Sequence, residues 1–431
     1  MNIKKIIVIL VALLIRFINL DASTRDGESC WLDYNLIPSH VTKATDPYAK
    51  YLESIPTVLQ TLSSVNSGIG EEAIITKRIV FSSKNGANKV YAILSSPLVA
   101  GKYPALMILH GGSGNADGLK PLVENFARKG YVALTFDMPG VCGITITPNS
   151  EGLWKLRPEY DEGPRFNVAK GPENSTMVDA EVAGIEAFNL LCSDPNVDVK
   201  NVGITGYSWG GYSTTFLSGI LGNRVKAAYS VFGCGFYELG SFWKNIIDKM
   251  SESDRNVWLK YIDAGRRVKN MKASFFLEAT TNDTYFWPEA VSATMSSIPG
   301  EKNMVWYPNL NHKQSPYGGK MQELYFDYYL KGIGSPFGTI NISKVMHQND
   351  GSKKVLIKVK IPESVSVGSV SLYYSEQGVN WQSRTWIPIK AELESHNKYS
   401  VLIPAEIANK KIDFYVYMSD SRNVITSSKI Y

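Results

Sequence analysis

Residues 206–210 have the sequence Gly-Tyr-Ser-Trp-Gly, which matches the pattern G-x-S-x-G. This pattern places a nucleophilic serine on a sharp turn between a strand and a helix. A short apolar stretch precedes the motif at 201–205, and a helical stretch rich in small residues follows it at 209–221. Glycines on both sides of the serine allow close packing without Cβ clashes. We therefore predict that Ser208 is a nucleophile; the alternative is a glycine-serine turn without chemistry.

A serine nucleophile needs a general base, and in this setting the chain order is serine, acid, histidine. The sequence contains five histidines. His40 and His110 precede the serine, and His347 and His396 follow a change in sequence character near residue 338. Elimination leaves His312, in the segment Pro-Asn-Leu-Asn-His, as the predicted base.

The acid that orients the base must lie between the serine and the histidine. Asp283 follows a predicted strand at 274–278 and a short turn, which is the expected position. Glu278 belongs to the strand itself, and Asp263 lies in a polar segment typical of a solvated charge. Asp283 is therefore the predicted acid, with the other two carboxylates as rivals.

A second glycine-rich element begins at His110 and continues Gly-Gly-Ser-Gly directly after an apolar strand. Acyl transfer places negative charge on a carbonyl oxygen, and backbone N–H groups that stabilise it are worth about 3–4 kcal/mol each. We predict that the amides of Trp209 and Gly112 are these donors, with Gly111 or Ser113 as replacements for the latter, and that His110 is structural. The alternative, a phosphate-binding loop, lacks the lysine of such motifs.

Aromatic side chains near these segments are candidates for a substrate pocket. Phe286 and Trp287 follow the predicted acid, and Trp154 lies in a long segment, 140–172, rich in glycine, proline and charge. Insertions above the carboxyl edge of a parallel sheet commonly shape binding sites. The alternative for any single residue of this segment is an ordered surface loop.

These residues require a framework, and the central part of the sequence provides one. A hairpin at 74–81 and 88–96 precedes short, continuously apolar strands that alternate with helices at 119–129, 176–193 and 209–221. Strands apolar on both faces belong to mostly parallel sheets, so we predict a doubly wound α/β catalytic domain over 73–338. Residues 340–431 contain only short alternating strands, which predicts a small fibronectin- or immunoglobulin-like β-sandwich.

The amino-terminal region has a different pattern. Lys4 and Lys5 precede an apolar run that is too short to span a bilayer, and small residues follow at Ala22-Ser23, as in a secretory signal peptide over 1–22. We therefore expect a secreted or periplasmic protein, with an uncleaved membrane anchor as the alternative. Residues 23–72 show no periodicity and are predicted to be irregular.

Composition excludes some classes of function. The net charge of +5 is spread along the chain without a dense basic block, which argues against nucleic-acid binding. None of the four cysteines lies in a CxxC motif, so redox chemistry and cysteine zinc sites are not expected. Their possible disulfide pairing is left open, as is the oligomeric state: Cys30, Cys142, Cys192 and Cys234.

The motifs together resemble the dienelactone hydrolase and acetylxylan esterase-like branch of the α/β-hydrolases, which is related to prolyl-oligopeptidase catalytic domains. The resemblance is carried, in order, by LHGGSG at 109–114, FDMPG at 136–140, GITGYSWGGY at 203–212, AAYSVFGCGF at 227–236, TNDTYFWP at 281–288 and PNLNH at 308–312. It implies the same three catalytic residues and the same two oxyanion amides, without a metal or organic cofactor.

The resemblance also orders the possible functions. Too few residues precede the catalytic domain for the β-propeller that filters peptides in oligopeptidases, so an esterase acting on small esters or acylated carbohydrates, of the acetylxylan type, is the leading hypothesis. A serine exopeptidase is the second. The third is a non-catalytic glycan-binding protein on a hydrolase scaffold, which would not require an intact triad.

Overall fold

The computed structural model describes residues 41–142, 149–156 and 163–431. The predicted signal peptide at 1–22, Cys30 and His40 lie outside the described residues. Within those ranges, no helix is long and apolar enough to cross a membrane.

A ten-stranded sheet forms the centre of the catalytic domain. Its path is β1-β2-β3-β5-β4-β7-β8-β9-β10, with β6 paired to β3. Strands β1, β2 and β3 pair antiparallel with their neighbours, and the strands along the path β5-β4-β7-β8-β9-β10 run parallel to one another. The strands are Val58–Ser67 (β1), Ile74–Ser83 (β2), Asn88–Pro97 (β3), Tyr103–Leu109 (β4), Val132–Phe136 (β5), Glu151–Gly152 (β6), Val197–Tyr207 (β7), Ala227–Val231 (β8), Ser274–Thr280 (β9) and Lys302–Tyr307 (β10).

Helices cover both faces of this sheet, as the continuously apolar strands predicted. β5 and β8 are buried along their whole length. Phe126 packs edge-on against Phe326 on one face, and Gly184 faces Leu217 on the other. The helices are Ala116–Arg128 (α1), Gly163–Phe166 (α2), Thr176–Ser193 (α3), Trp209–Leu221 (α4), Lys244–Asp248 (α5), Glu252–Tyr261 (α6), Pro288–Ser297 (α7), Gly318–Phe326 (α8) with a π-helical continuation Asp327–Lys331, and Ala405–Ala408 (α9).

Short 3₁₀ turns link several of these elements. They are Ala49–Tyr51, Gly70–Glu72, Leu153–Leu156, Pro172–Asn174, Gly222–Arg224, Ala264–Arg266, Val268–Asn270 and Trp381–Ser383.

Two four-stranded antiparallel sheets form the carboxyl-terminal domain, in the orders β11-β12-β16-β15 and β14-β13-β17-β18. Apolar residues of both sheets, including Val355, Leu372 and Val416, share one core. The separate antiparallel domain predicted from the short alternating strands is therefore confirmed. The strands are Thr339–His347 (β11), Lys353–Lys360 (β12), Val367–Glu376 (β13), Ile387–Lys390 (β14), Glu392–Ser395 (β15), Lys398–Ile403 (β16), Ile412–Asp420 (β17) and Ile425–Ser427 (β18).

The prediction that 23–72 is irregular is wrong for β1, which pairs with β2 along its length. The strand was missed because eight of its ten residues are exposed and none is buried, so its sequence carries no alternation of buried and exposed positions. Among the described strands it forms the outer edge of the sheet, where a strand needs hydrogen bonding on one side only.

The cysteines have different environments. Cys142 and Cys234 are buried, and Cys192 is half-buried. Burial raises the pKa of the Cys234 thiol well above its ordinary value, which suits a buried, unreactive thiol.

Candidate active site

Ser208 occupies the turn between β7 and α4, with φ of 57° and ψ of −117°. A positive φ is rare for a residue with a Cβ and costs on the order of 1–3 kcal/mol, so the surroundings must impose it. The Ser208 N–H donates to the carbonyl of Val231 at 2.9 Å, and the Ser208 carbonyl accepts from the N–H of Tyr212 at 2.9 Å. The turn is thereby fixed between the neighbouring strand and its own helix.

The glycines of the motif make this turn possible. A Cβ on Gly206 would overlap the carbonyl of Gly210, and a Cβ on Gly210 would overlap the carbonyl of Leu109. Both obstacles are backbone atoms, which cannot rotate away. The G-x-S-x-G pattern is thus required by the packing of β4, β7 and α4 around the serine.

His312 lies in the loop after β10 and is within hydrogen-bonding distance of both predicted partners. The Ser208 Oγ–H donates to its Nε2 at 3.0 Å, and its Nδ1–H donates to Asp283 Oδ2 at 2.9 Å. The other carboxylate oxygen of Asp283 accepts from the N–H groups of Tyr285 at 2.7 Å and Phe286 at 3.1 Å. Because the carboxylate accepts from Nδ1, the Nε2 lone pair faces the serine hydroxyl.

The imidazole of His312 is packed among aromatic rings. Its centroid lies 4.7 Å from that of Phe232 and 4.9 Å from that of Tyr285, and Phe286 stacks behind it at 5.8 Å. The Tyr207 hydroxyl donates to the His312 carbonyl at 3.0 Å. These contacts restrict both the ring and the backbone of the base.

Polar side chains join the loop of the acid to the loop of the base. Asn311, with φ of 51°, accepts on Oδ1 from the N–H and the hydroxyl of Thr284 at 3.0 and 2.7 Å. The Asn311 N–H donates to Asn282 Oδ1 at 2.8 Å, and the Thr280 hydroxyl donates to the Asn311 carbonyl at 2.5 Å. These bonds were not predicted from the sequence; an asparagine in a short loop, which tolerates positive φ, was the available signal.

The two rival acids have other partners. Glu278 is fully buried and accepts from the Tyr229 hydroxyl at 2.5 Å. Asp263 is also fully buried and accepts from the N–H groups of Phe236 and Gly265 at 3.0 and 2.9 Å. The expectation that Asp263 is a solvated charge is therefore wrong, because its carboxylate satisfies backbone donors in the interior.

The predicted oxyanion donors lie beside the serine. Trp209 is the first residue of α4, where N–H groups have no acceptor within the helix. A Cβ on Gly112 would lie 3.0 Å from Trp209 Cδ1, so the two segments are adjacent. The Ser113 N–H donates to the Val141 carbonyl at 3.0 Å, which removes Ser113 from the possible donors. Gly112 and Gly111 therefore remain the candidate donors from this loop, together with Trp209.

His110 has a structural position, as predicted from its place before the turn. It is buried; its Nε2 accepts from the N–H of Met138 at 2.9 Å, and its Nδ1–H donates to the Gly111 carbonyl at 2.7 Å. Desolvation lowers the pKa of His110 to about 4, and the bond to Gly111 opposes this only in part. The neutral ring thus ties the glycine-rich loop to the segment after β5.

A cavity of about 440 Å³ opens in front of the serine. Its volume suits a small ligand. The guanidinium of Arg165 lies 5.2 Å above the ring of Trp209 at its wall, and Arg165 Nε donates to the Gly140 carbonyl at 3.0 Å. The lining residues are Gly111, Gly112, Ser113, Gly114, Arg165, Tyr207, Ser208, Trp209, Trp243, Tyr285 and His312.

The three predicted pocket aromatics are not among these lining residues. Phe286 is buried behind the imidazole, and Trp287 Nε1 donates to the Thr284 carbonyl at 3.1 Å. Trp154 is buried and lies against Gly152. The aromatic wall comes instead from Trp209, Trp243 and Tyr285.

The described ranges contain no group of three or more His, Cys, Asp or Glu side chains that could hold a metal ion. The site thus consists of a serine, a histidine, a carboxylate and backbone donors at the edge of an aromatic cavity. Such a set can transfer an acyl group through the serine oxygen.

The chain is similar to several known proteins. Residues 90–312, more than half of the chain, match a model described as the dienelactone hydrolase family. Acetyl esterase Axe7A of Xylanibacter ruminicola is 29% identical over 141 residues, which are 32% of this chain and 31% of that protein. Proline iminopeptidase of Clostridium botulinum is 23% identical over 113 residues, which are 26% of this chain and 38% of that protein.

The chain therefore spans less than two fifths of the length of either of these curated relatives. Among solved structures, the acetyl xylan esterase from Paenibacillus sp. R4 matches with a TM-score of 0.52 and 20% identity, over 65% of this chain and 92% of that one. At that identity the likeness shows a shared fold, the α/β-hydrolase architecture.

Proposed function

The chain belongs to the dienelactone hydrolase family, and from that premise we propose that it is a serine hydrolase of carboxylic esters that acts through an acyl-enzyme. The observation that carries this proposal is the continuous relay from Asp283 through His312 to the Ser208 hydroxyl, with distances of 2.9 and 3.0 Å, at the wall of a cavity.

In the proposed reaction, Ser208 Oγ attacks the ester carbonyl while its proton passes to His312 Nε2. The carbonyl oxygen becomes an oxyanion that the amides of Trp209 and Gly112 stabilise. The C–O bond to the alcohol then breaks, and His312 returns its proton to the departing oxygen. Water, activated by the same imidazole, releases the acid and restores the serine.

An acylated carbohydrate is the substrate class that we propose. The names of two similar proteins, an acetyl esterase and an acetyl xylan esterase, support this class. The cavity supports it too, since Trp209, Trp243 and Tyr285 offer aromatic surface at its wall and its volume of about 440 Å³ is small. All groups that the reaction needs come from the chain, so no cofactor enters the proposal.

Replacement of the nucleophile tests the reaction. Ser208→Ala is expected to abolish turnover of short-chain nitrophenyl esters and labelling by a fluorophosphonate probe. Ser253→Ala, on the exposed side of α6, is the matched control and should behave as the parent protein. Retained hydrolysis by purified Ser208→Ala would refute the assignment, and absence of labelling in the parent would favour a glycan-binding protein.

A serine exopeptidase is the second candidate, favoured by the similarity to a proline iminopeptidase. A panel of acetylated sugars, feruloyl esters and aminoacyl nitroanilides separates the two activities. We expect the highest kcat/KM for acetylated sugars. A higher kcat/KM for the nitroanilides would replace the esterase proposal with the peptidase.

We also propose that the chain is exported. The charged and apolar pattern of residues 1–22 supports cleavage near Ala22. Amino-terminal sequencing of protein recovered from the medium or periplasm should find a start near residue 23. Protein that keeps Met1 and fractionates with membranes would support the uncleaved anchor instead.

A further inference from the structure

The loop that carries His312 is bonded directly to the carboxyl-terminal domain. Asn309 Nδ2 donates to the Trp386 carbonyl at 2.9 Å, and the Trp386 N–H donates to Asn309 Oδ1 at 2.9 Å. The side-chain amide of Asn309 thus exchanges two hydrogen bonds with the backbone of Trp386, as the backbone of a neighbouring strand would. Asn309 lies three residues before His312 and has φ of 59°.

Trp386 is firmly held on its own side of this contact. Its side chain is 1% exposed and belongs to the apolar core of the catalytic domain, not to the core between the two carboxyl-terminal sheets. It packs against Tyr415 at 5.1 Å and lies parallel to Trp381 at 6.4 Å. Trp381 Nε1 in turn donates to Glu289 of α7 at 2.6 Å.

The strand that leads into the loop is held by the same domain. The Trp306 N–H of β10 donates to the hydroxyl of Ser427 in β18 at 2.7 Å. Asn303 Nδ2, near the start of β10, donates at 2.9 Å to the carbonyl of Gly338, the last residue before β11. Contacts to the carboxyl-terminal region therefore run along β10 and continue to Asn309.

We propose that Asn309 is a positioning residue for His312 and that the carboxyl-terminal domain, through the backbone of Trp386, supports the geometry of the base. The inference rests on the proposed function. The imidazole must stay near 3.0 Å from Ser208 Oγ, and displacement of a catalytic group by about 1 Å costs on the order of a hundredfold in rate. Both asparagines of this loop have positive φ, and their side chains bond Thr284 and Trp386, so these side-chain bonds help to fix the loop.

Asn309→Gly tests this proposal because glycine keeps the positive φ and removes both bonds to Trp386. We expect kcat for a nitrophenyl ester to fall by about ten- to a hundredfold, with KM changed less than about twofold. The rate of fluorophosphonate inactivation should fall by the same factor as kcat. Asn309→Asp keeps the acceptor for the Trp386 N–H and loses the donor, so its kcat should lie between those of the parent and the glycine variant.

Asn423→Gly is the matched control. Asn423 has φ of 61° in a turn of the carboxyl-terminal domain, and its N–H donates to the Asp420 carbonyl, a bond that glycine retains. Its kcat should equal that of the parent. A kcat of Asn309→Gly equal to the parent, or the same loss in Asn423→Gly, would overturn the proposal. So would a lower melting temperature of Asn309→Gly with unchanged kcat below that temperature.

A measurement without substrate separates this inference from the proposed function. The Nδ1–H proton of His312, bonded to Asp283, is expected to give a downfield proton NMR signal in the parent. Asn309→Gly should broaden or shift this signal, and Asn423→Gly should not. If the parent hydrolyses no ester, the proposed function fails, while an unchanged signal in Asn309→Gly would overturn the positioning role independently.

Discussion

Ser208 and His312 meet at 3.0 Å, but the segments that carry them are held by different means. The turn at Ser208 is enclosed by backbone atoms of β4, β8 and α4, which leave no space for a Cβ at the flanking glycines. The loop at His312 is held by hydrogen bonds that involve side chains. The Tyr207 hydroxyl donates to the His312 carbonyl, and the Thr284 hydroxyl donates to the side chain of Asn311. The side chain of Asn309 bonds the backbone of Trp386 in the carboxyl-terminal domain.

The two halves of one relay should therefore respond differently to mutation. Where the atoms in contact are backbone atoms, no side chain can rotate away, so an added atom forces the elements apart. A set of separate hydrogen bonds loses one contribution at a time, each worth about 0.5–1.5 kcal/mol. We expect steep losses of stability at the serine turn and graded losses of rate at the histidine loop.

The largest effect on kcat is expected for the acid, Asp283, whose carboxylate accepts the Nδ1–H of His312. Asp283→Asn keeps the size of the side chain but can present N–H instead of oxygen to His312 Nδ1, which selects the wrong tautomer. We expect kcat to fall by about 10⁴-fold with the melting temperature little changed. Asp248→Asn, at an exposed ion pair with Lys244, is the control. A loss of kcat below tenfold in Asp283→Asn would contradict the role of Asp283 as the acid that orients His312.

The next largest effect concerns the serine turn. Gly210→Ala should destabilise the fold by about 3 kcal/mol or more, because the new Cβ meets the Leu109 carbonyl. Gly319→Ala is the control, since no atom lies within 4 Å of a Cβ at that position in α8. Urea unfolding measures both. Equal stability of the two variants would contradict the view that the turn is enclosed by backbone.

The helix behind the serine adds a dependence on pH. Glu181 of α3 is buried and accepts from the Ser213 hydroxyl of α4 at 2.5 Å, and desolvation raises its pKa to about 8. A carboxyl whose pKa is higher in the folded state binds its proton more tightly there, so its contribution to stability falls as pH rises from about 4.5 to 8.

Glu181→Gln should therefore lose less stability than the parent between pH 5 and pH 8, because the amide does not ionise. Melting temperatures across this range measure the difference. The opposite result would contradict this expectation. If the parent became more stable relative to Glu181→Gln as pH rises, Glu181 would be ionised in the folded protein.

The smallest effect is expected from a single bond at the histidine loop. Tyr207→Phe removes the hydroxyl that donates to the His312 carbonyl and should lower kcat by about two- to tenfold. Tyr328→Phe, in the π-helical turn, is the control. A loss as large as that of Asp283→Asn would mean that the loop depends on one contact and not on several.

Local patterns were sufficient to locate the relay. The motif around Ser208 sits between a strand and a helix, and the count of histidines left only His312, so both could be named without tertiary information. The parallel sheet and the carboxyl-terminal domain followed from the periodicity of their strands. For the serine, the sheet and the carboxyl-terminal domain, neighbouring residues in the sequence carried the signal, and the histidine was found by elimination along the whole chain.

Features that depend on distant residues were not predicted. The contact between Asn309 and Trp386 joins positions 77 residues apart. Trp154 was predicted for the cavity and Trp243 was not named, because position in a loop does not reveal which side chains face the serine. β1 was missed because its exposed residues have no burial pattern to display.

The two edge strands of the central sheet, β10 and β1, also differ in how their outer sides are covered. Ser427 of β18 occupies the outer side of β10, whereas β1, among the described strands, pairs on one side only and has ten residues with no charge and no proline. Such an edge can accept a strand from another chain. Association of this protein at high concentration should therefore propagate from the β1 side, and an isolated catalytic domain, cut before β11, would be open to strand addition at both ends.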